Sequence, residues 1–403
     1  MRFSQLLHKQ HIGRAFRSLW QQMRERPVLV SKADEILTSM GFTIQDPLTL
    51  VQSNKQISKV EKIITSTEVH PDWKDRDCLT YKDSDLLQEG VSQACLLTKT
   101  LQVENDLPKN IKDLITDIPE HVDNLVKRII YASSIYDAEQ VKLPKLKDPD
   151  RPSWVFPRVY GISSTRKMHN LSKKFLQLCE SLTGTTEQRR ALVYNGTLCI
   201  CIDKEWDLLQ FSFKMDLMTI SSTPLTPLAD VNIHNELAMP NLYPLHHSIG
   251  LLKTNIYKLE DIYPITTESS LKNIHTIFIN YDPEEIKNIT ELPTTETQIH
   301  ARSMLKSFTA AAACARQRYG SNVKELPDPV VVQCIQSDGQ NFHFSVYQLN
   351  TLDIDGTEGI RNFWWSAPSI KLYEKAQYEN GRPYLEGYNN EVFKKFFAFY
   401  NNK

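Results

Sequence analysis

One C-terminal stretch constrains the fold of this chain more than any other. From Glu296 to Tyr319 the residues Ala301, Leu305, Phe308, Ala312, Ala315 and Tyr319 recur at helical spacing. Thr295 with Gln298 fits a capping box at the start, and Gly320 supplies the stop. Directly afterwards Val330–Ile335 runs up to Asp338-Gly339 and Phe342–Leu349 runs back, the pattern of a β-hairpin. A long helix running straight into an antiparallel hairpin predicts an α+β fold, with helices intermixed with hairpins and no β-α-β rhythm.

The rest of the chain agrees with that class. Helical spacing recurs at Leu86–Thr100, at Glu120–Ala138 (Val122, Leu125, Val126, Ile129 and Ile130 on one face), at Leu171–Leu182 and at Glu391–Tyr400. A second hairpin is expected around Lys204-Glu205-Trp206-Asp207, between Leu198–Asp203 and Leu208–Lys214. Seven prolines between residues 223 and 296 predict loops and brief strands there. The expected organisation is a targeting presequence over residues 1–32, an extended arm and helical region over 33–150 with a short helix near Ala33–Met40, and an α+β core over 151–403.

Charge is uneven along the chain. The 403 residues carry 47 Lys/Arg and 48 Asp/Glu, a net of -1. Residues 1–32 hold seven of the cations against the single acid Glu25, leaving 40 basic and 47 acidic residues and a net of -7. Ile12, Phe16, Leu19, Trp20 and Met23 line one side of that segment, while Arg14, Arg17 and Arg24 fall on the other. An Arg-rich, acid-poor amphipathic start is the pattern of a mitochondrial import signal; a basic surface helix is the plainer account of the same residues.

Several function classes drop out. Glycine is scarce, at 13 residues, and neither G-x-G-x-x-G nor a phosphate-binding loop occurs. There is no G-x-S-x-G elbow. No apolar run approaches the ~18 residues that cross a bilayer, and no membrane partner is expected. The seven cysteines are scattered and odd in number, which predicts buried free thiols; Cys199 and Cys201 would share one strand face in the core. His246-His247, with His234 upstream, could be ligands, but no H-E-x-x-H occurs and a histidine pair in a proline-rich loop reads as a surface feature. His343 reads as a satisfied, half-buried histidine, and Trp364-Trp365 as core or interface. Asp353-Ile-Asp355-Gly356-Thr-Glu358 resembles a calcium loop, but with Gly356 at position six the first and last ligand positions are Thr351 and Asn362. An acidic turn is expected there; a soluble matrix enzyme with a divalent metal on Asp353, Asp355 and Glu358 is the alternative. No catalytic residue, cofactor, metal or small-molecule substrate is otherwise expected.

One segment has binding character. Residues 142–174 contain Lys142, Lys145, Lys147, Arg151, Arg158, Arg166, Lys167, Lys173 and Lys174 against Asp148 and Asp150, with Trp154, Phe156 and Tyr160 among them. Cations that neutralise phosphates beside aromatics that stack on bases suit an RNA contact; a solvated basic connector suits the same composition.

At the C-terminal hairpin, Pro329-Val-Val-Val-Gln333, Asp338-Gly339, Phe342-His343-Phe344, Val346, Gln348-Leu349-Asn350-Thr351, Asp353 and Glu358-Gly359 resemble the mitochondrial large-ribosomal-subunit protein thirty-seven family. Glu89-Gly90-Val91, Gln93-Ala94 and Leu97-Thr98-Lys99-Thr100 match the same family in the expected order, with weaker similarity around Arg190, Asn195, Trp206, Ala315-Arg316 and Phe393–Tyr400. The resemblance implies a non-catalytic structural component of the large subunit of the mitochondrial ribosome, in the matrix. Its implied partners are large-subunit rRNA and neighbouring ribosomal proteins, among them a paralogue formerly catalogued as small-subunit protein thirty.

Overall fold

Alternating apolar residues on the strands need cover on both faces, and the helices supply it. The computed structural model describes residues 16, 20, 32–44, 78–143, 150–151, 153–157, 159–184, 190–231, 237–254, 261–282, 286, 288 and 292–403. The chain divides into two compact units, Met1–Glu68 and Val69–Lys403. In the first, the short helix expected near Ala33–Met40 forms over Ala33–Ser39. The presequence read over residues 1–32 lies outside the described residues except for Phe16, Trp20 and Lys32.

The second unit is built on one mixed sheet. Its strands are β1 (Cys78–Lys82), β2 (Thr100–Glu104), β3 (Arg190–Lys204), β4 (Asp207–Ser221), β5 (Leu252–Thr254), β6 (Asn273–Asn280), β7 (Glu325–Ser337), β8 (Asn341–Thr351), β9 (Asn362–Ser366) and β10 (Ile370–Lys371). Its helices are α1 (Gly90–Thr98), α2 (Glu120–Ser134), α3 (Ser164–Thr183), α4 (Glu296–Tyr319) and α5 (Glu391–Asn401). Both expected hairpins form: β3 pairs β4 from Arg190–Ser221 to Lys204–Asp207, and β7 pairs β8 around Asp338-Gly339. At the latter turn Asp338 Oδ1 accepts the amides of Gln340 (2.8 Å) and Asn341 (2.6 Å), and Gly339 takes a left-handed φ of 93°.

The second edge of β4 is shared. β1 runs parallel to its first half (Cys78 opposite Leu208), and β6 runs antiparallel to its second half (Leu217 opposite Phe278). β6 is in turn parallel to β7, and β9 is parallel to β2. The fold is α+β. It nevertheless holds one β-α-β unit, β6–α4–β7, where no such rhythm is expected from sequence. The cause is β6 itself: Ile274 to Ile279 are buried on both faces, so the strand shows no alternation, and proline-rich segments surround it.

Alternation on β7 and β8 assigns the two layers. Val330, Val332, Cys334, Tyr347 and Leu349 pack toward α4 and α1, whereas Val331, Ile335, Phe342, Phe344 and Val346 pack toward α2, α3 and α5. In the second layer the Phe175 ring meets Phe393 at 5.3 Å and Phe396 at 5.4 Å, both edge-on. All seven cysteines are buried and unbridged, as expected, with Cys201 packed on Cys78 and Leu208. Trp364 and Trp365 are both buried.

The helix α4 departs from a one-sided stripe: every residue from Ala301 to Ala315 is buried. Its hydroxyls and Lys306 find partners, whereas buried Arg302 reaches only Asp83, at 3.6 Å, and among the described residues its Nε and Nη1 have no hydrogen bond. Ser303 and Ser307 donate to the carbonyls of His300 (2.8 Å) and Ser303 (2.7 Å), and Thr309 donates to that of Leu305 (2.8 Å). Lys306 reaches Asp83 at 2.5 Å and the Lys214 carbonyl at 3.1 Å, which compensates a fully buried ammonium.

Candidate nucleic-acid interface

The cations singled out between residues 142 and 174 are placed by two local structures. Val141–Lys142 pairs antiparallel with Tyr160–Gly161, which sets Lys142 opposite Tyr160, and the Leu143 amide extends the pairing to the Val159 carbonyl at 2.9 Å. Then α3 begins at Ser163, whose hydroxyl accepts the Arg166 amide at 3.4 Å as an N-cap.

The side chains divide into two groups. Lys142 and Arg151 are exposed, in the company of Trp154 (63% exposed), Val155, Val159 and Tyr160 (64%). So many apolar side chains in water on one short segment exceed the scattered exposure that is normal for a surface. The α3 cations are less free. Arg166 donates to both Asp137 oxygens at 2.8 Å and pairs with Glu139, and Asn170 also donates to Asp137. Hydrogen bonding from Arg166 holds the Asp137 carboxyl down to about 2. Lys167 is half-buried, and burial lowers the pKa of its ammonium. Lys173 lies 5.8 Å over the Tyr194 ring, and Lys174 is half-buried. Lys145, Lys147 and Arg158 lie outside the described residues.

The exposed half can therefore neutralise phosphates with Lys142 and Arg151 and offer Trp154 and Tyr160 as stacking faces. Arg166 instead ties the first turn of α3 to residues 137–139. Composition alone gave no sign of that tie, because its acids sit outside the basic run.

The acidic turn has a structural occupation. Asp355 Oδ1 accepts the Glu205 amide at 2.6 Å, the Asp355 carbonyl accepts Lys99 Nζ at 2.8 Å, and the Ile354 carbonyl accepts Lys204 Nζ at 2.5 Å. The Asp353 amide donates to Thr351 Oγ1 at 3.0 Å. Among the described residues, the carboxylates of Asp353, Asp355 and Glu358 do not gather within ligand distance of one another.

The family described as mitochondrial 28S ribosomal protein S30 (PDCD9) matches residues 282–403, which hold α4, the β7–β8 hairpin, β9 and α5. A Rattus norvegicus protein named large ribosomal subunit protein mL37 is 28% identical over 350 residues, spanning 82% of this chain and 76% of its own length. The Bos taurus protein of that name is also 28% identical over 350 residues, with the same coverage. The Gallus gallus protein is 26% identical over 349 residues, 81% of this chain and 74% of its own. The resemblance read in the sequence is thus shown: over about four fifths of its length the chain is similar to mitochondrial large-ribosomal-subunit protein mL37.

Proposed function

We propose that this protein is a structural, non-catalytic component of the large subunit of the mitochondrial ribosome and supports mitochondrial translation in the matrix. The observation that carries the reading is the similarity to proteins named mL37 along about four fifths of the chain. The basic, amphipathic residues 1–32 act as the import presequence, and the elements from β1 onward form the α+β core, which takes in the strands and helices before residue 151 as well. The exposed Lys142, Arg151, Trp154 and Tyr160 meet large-subunit rRNA, with Lys145, Lys147, Arg158, Lys167, Lys173 and Lys174 adding to the same positive field and Arg166 holding the segment in place. The remaining acidic surface faces protein neighbours, the paralogous ribosomal protein among them. No small-molecule substrate or membrane enters this role.

A density gradient of a mild-detergent mitochondrial lysate tests it. The tagged full chain is expected to sediment with the large subunit and to leave that fraction when the subunit is disassembled by magnesium chelation. A chain that stays at the top of the gradient, with normal mitochondrial protein synthesis after its depletion, overturns the proposal.

A further inference from the structure

Lys204 pairs with Asp207, so Glu205 and Trp206 form the turn between β3 and β4. Glu205 has a left-handed φ of 54°, and its amide is fastened to Asp355 Oδ1 at 2.6 Å. The flanking Lys204 ammonium is fastened to the neighbouring Ile354 carbonyl. The turn is thereby fixed against the 353–355 loop while the Glu205 side chain stays exposed.

The residues that meet it are fixed from the other side. Gln93, fully buried on α1, donates through Nε2 to the carbonyls of His247 (2.8 Å) and Ile249 (2.7 Å), and its Oε1 accepts the Glu89 amide at 3.2 Å. The backbone of the histidine pair is therefore set by the core rather than left as a loop tip.

Glu205, His246 and His247 each present a ligand atom, and these atoms lie within 4.8 Å of one another. Among the described residues no other three His, Cys, Asp or Glu side chains converge in this way. The imidazole rings sit 3.9 Å apart, centroid to centroid. His246 Nδ1 is 2.7 Å from Ser248 Oγ. Nδ1 also accepts the Ser248 amide at 3.4 Å, so the hydroxyl and amide of Ser248 together fix the orientation of the His246 ring. His247 Nε2 is buried and has no hydrogen-bond partner. A buried unpartnered nitrogen is costly and calls for a missing ligand.

We infer that Glu205, His246 and His247 form a binding site for a divalent transition-metal ion, Zn2+ being the best match to two imidazoles and one carboxylate. Three protein ligands leave a position for water. The two histidines also line a cavity of about 620 Å³, together with Met239, Tyr243, Glu358 and Arg361. The third ligand comes from a hairpin turn far upstream of the histidines, so the histidine segment by itself does not show it. Two cations belong to the surroundings: Lys204, next to Glu205 in the chain, donates to the Ile354 carbonyl, and Arg361, which lines the cavity, donates to the Thr357 and Leu237 carbonyls. The bound ion would bridge the β3–β4 turn to the 246–249 loop. The site is independent of the ribosomal reading and stands or falls without it.

The test is metal titration of the purified, metal-free full chain: Zn2+ by calorimetry and Co2+ by visible absorption. One ion per chain is expected, with cobalt d–d bands and no thiolate charge-transfer band, because no cysteine is in the set. His247→Ala and Glu205→Gln are each expected to weaken binding by roughly tenfold or more. Glu205→Gln changes an exposed side chain without altering its backbone amide, so it reads removal of one ligand in a folded protein; circular dichroism verifies both variants. Absence of stoichiometric binding, equal affinity in Glu205→Gln and wild type, or a thiolate band each overturns the proposal.

Discussion

Buried histidines make this fold sensitive to mild acid. His343 lies on β8 under α4, 3% exposed, with Nδ1 3.3 Å from Ser303 Oγ, Nε2 2.8 Å from Ser366 Oγ, and the His300 ring stacked at 3.8 Å. Burial, reinforced by the neighbouring His300, holds its imidazole well below the ordinary value. His275 on β6 sits 2.9 Å from the Asn402 carbonyl through Nε2, and burial pushes it down to about 3. Both are neutral in the folded protein, whereas in the unfolded chain each titrates near ~6.5. The folded pKa is the lower one, so stability is full above pH ~6.5 and is lost as pH falls, by up to ~1.4 kcal/mol per pH unit for each such histidine. Denaturant midpoints measured from pH 7.5 to 5 are expected to fall, and His343→Gln is expected to flatten that slope by about one proton. The sequence indicated a satisfied histidine at 343 because strand alternation is a local property. It did not reveal that Glu205 meets His246 and His247, because that contact depends on sheet register and on Gln93 clamping a distant loop.

At the scale of elements, α4 organises the molecule and its start is the vulnerable end. The capping box is complete: Gln298 N donates to Thr295 Oγ1 at 3.4 Å, and Gln298 Oε1 accepts the Thr295 amide at 3.0 Å. Gln298 Nε2 also reaches the Gln88 carbonyl at 3.3 Å, and a Cβ on Gly90 would lie 2.9 Å from the Thr297 backbone carbon. The caps of α4 and α1 thus touch, and only glycine permits the approach. Thr295→Ala is expected to cost about 1 kcal/mol in denaturant unfolding. Faster amide exchange should appear in the first turns of both helices and leave the β7–β8 hairpin unchanged. A cost confined to α4 would show that the two caps are not coupled. This helix and its hairpin were legible from sequence, since capping, period and turn chemistry agree there. Full burial of α4 was not, because serine, threonine, lysine and arginine read as a solvent face until their i−4 carbonyls and Asp83 are in place. β6 was hidden for the opposite reason: a strand buried on both faces carries no period to read.

At the scale of the whole molecule, the proposed RNA contact has to be reconciled with the charge of the chain. Outside residues 1–32 the chain nets -7, so a nucleic-acid contact has to be local, and the 142–174 stretch with nine cations against two acids is the local exception. The geometry refines which cations to test. Reversing Arg166 would release Asp137, Glu139 and the first turn of α3, and failure to assemble would then report on folding. Lys142 and Arg151 are exposed, so Lys142→Glu with Arg151→Glu changes the field by four charges while leaving α3 and the buried layers intact. Removing one cation from a phosphate should flatten the dependence of log affinity on log salt by about one, so the double variant is expected to bind a large-subunit rRNA transcript with a slope lower by about two. The Debye length is ~8 Å at physiological salt, so cations set back on α3 cannot substitute for two removed from the phosphates themselves. Filter binding across a salt series reads the slope, and co-sedimentation of the same variant with the large subunit reads assembly. Unchanged slope and unchanged incorporation in the folded variant would make this segment a solvated connector and move the RNA contact elsewhere on the protein.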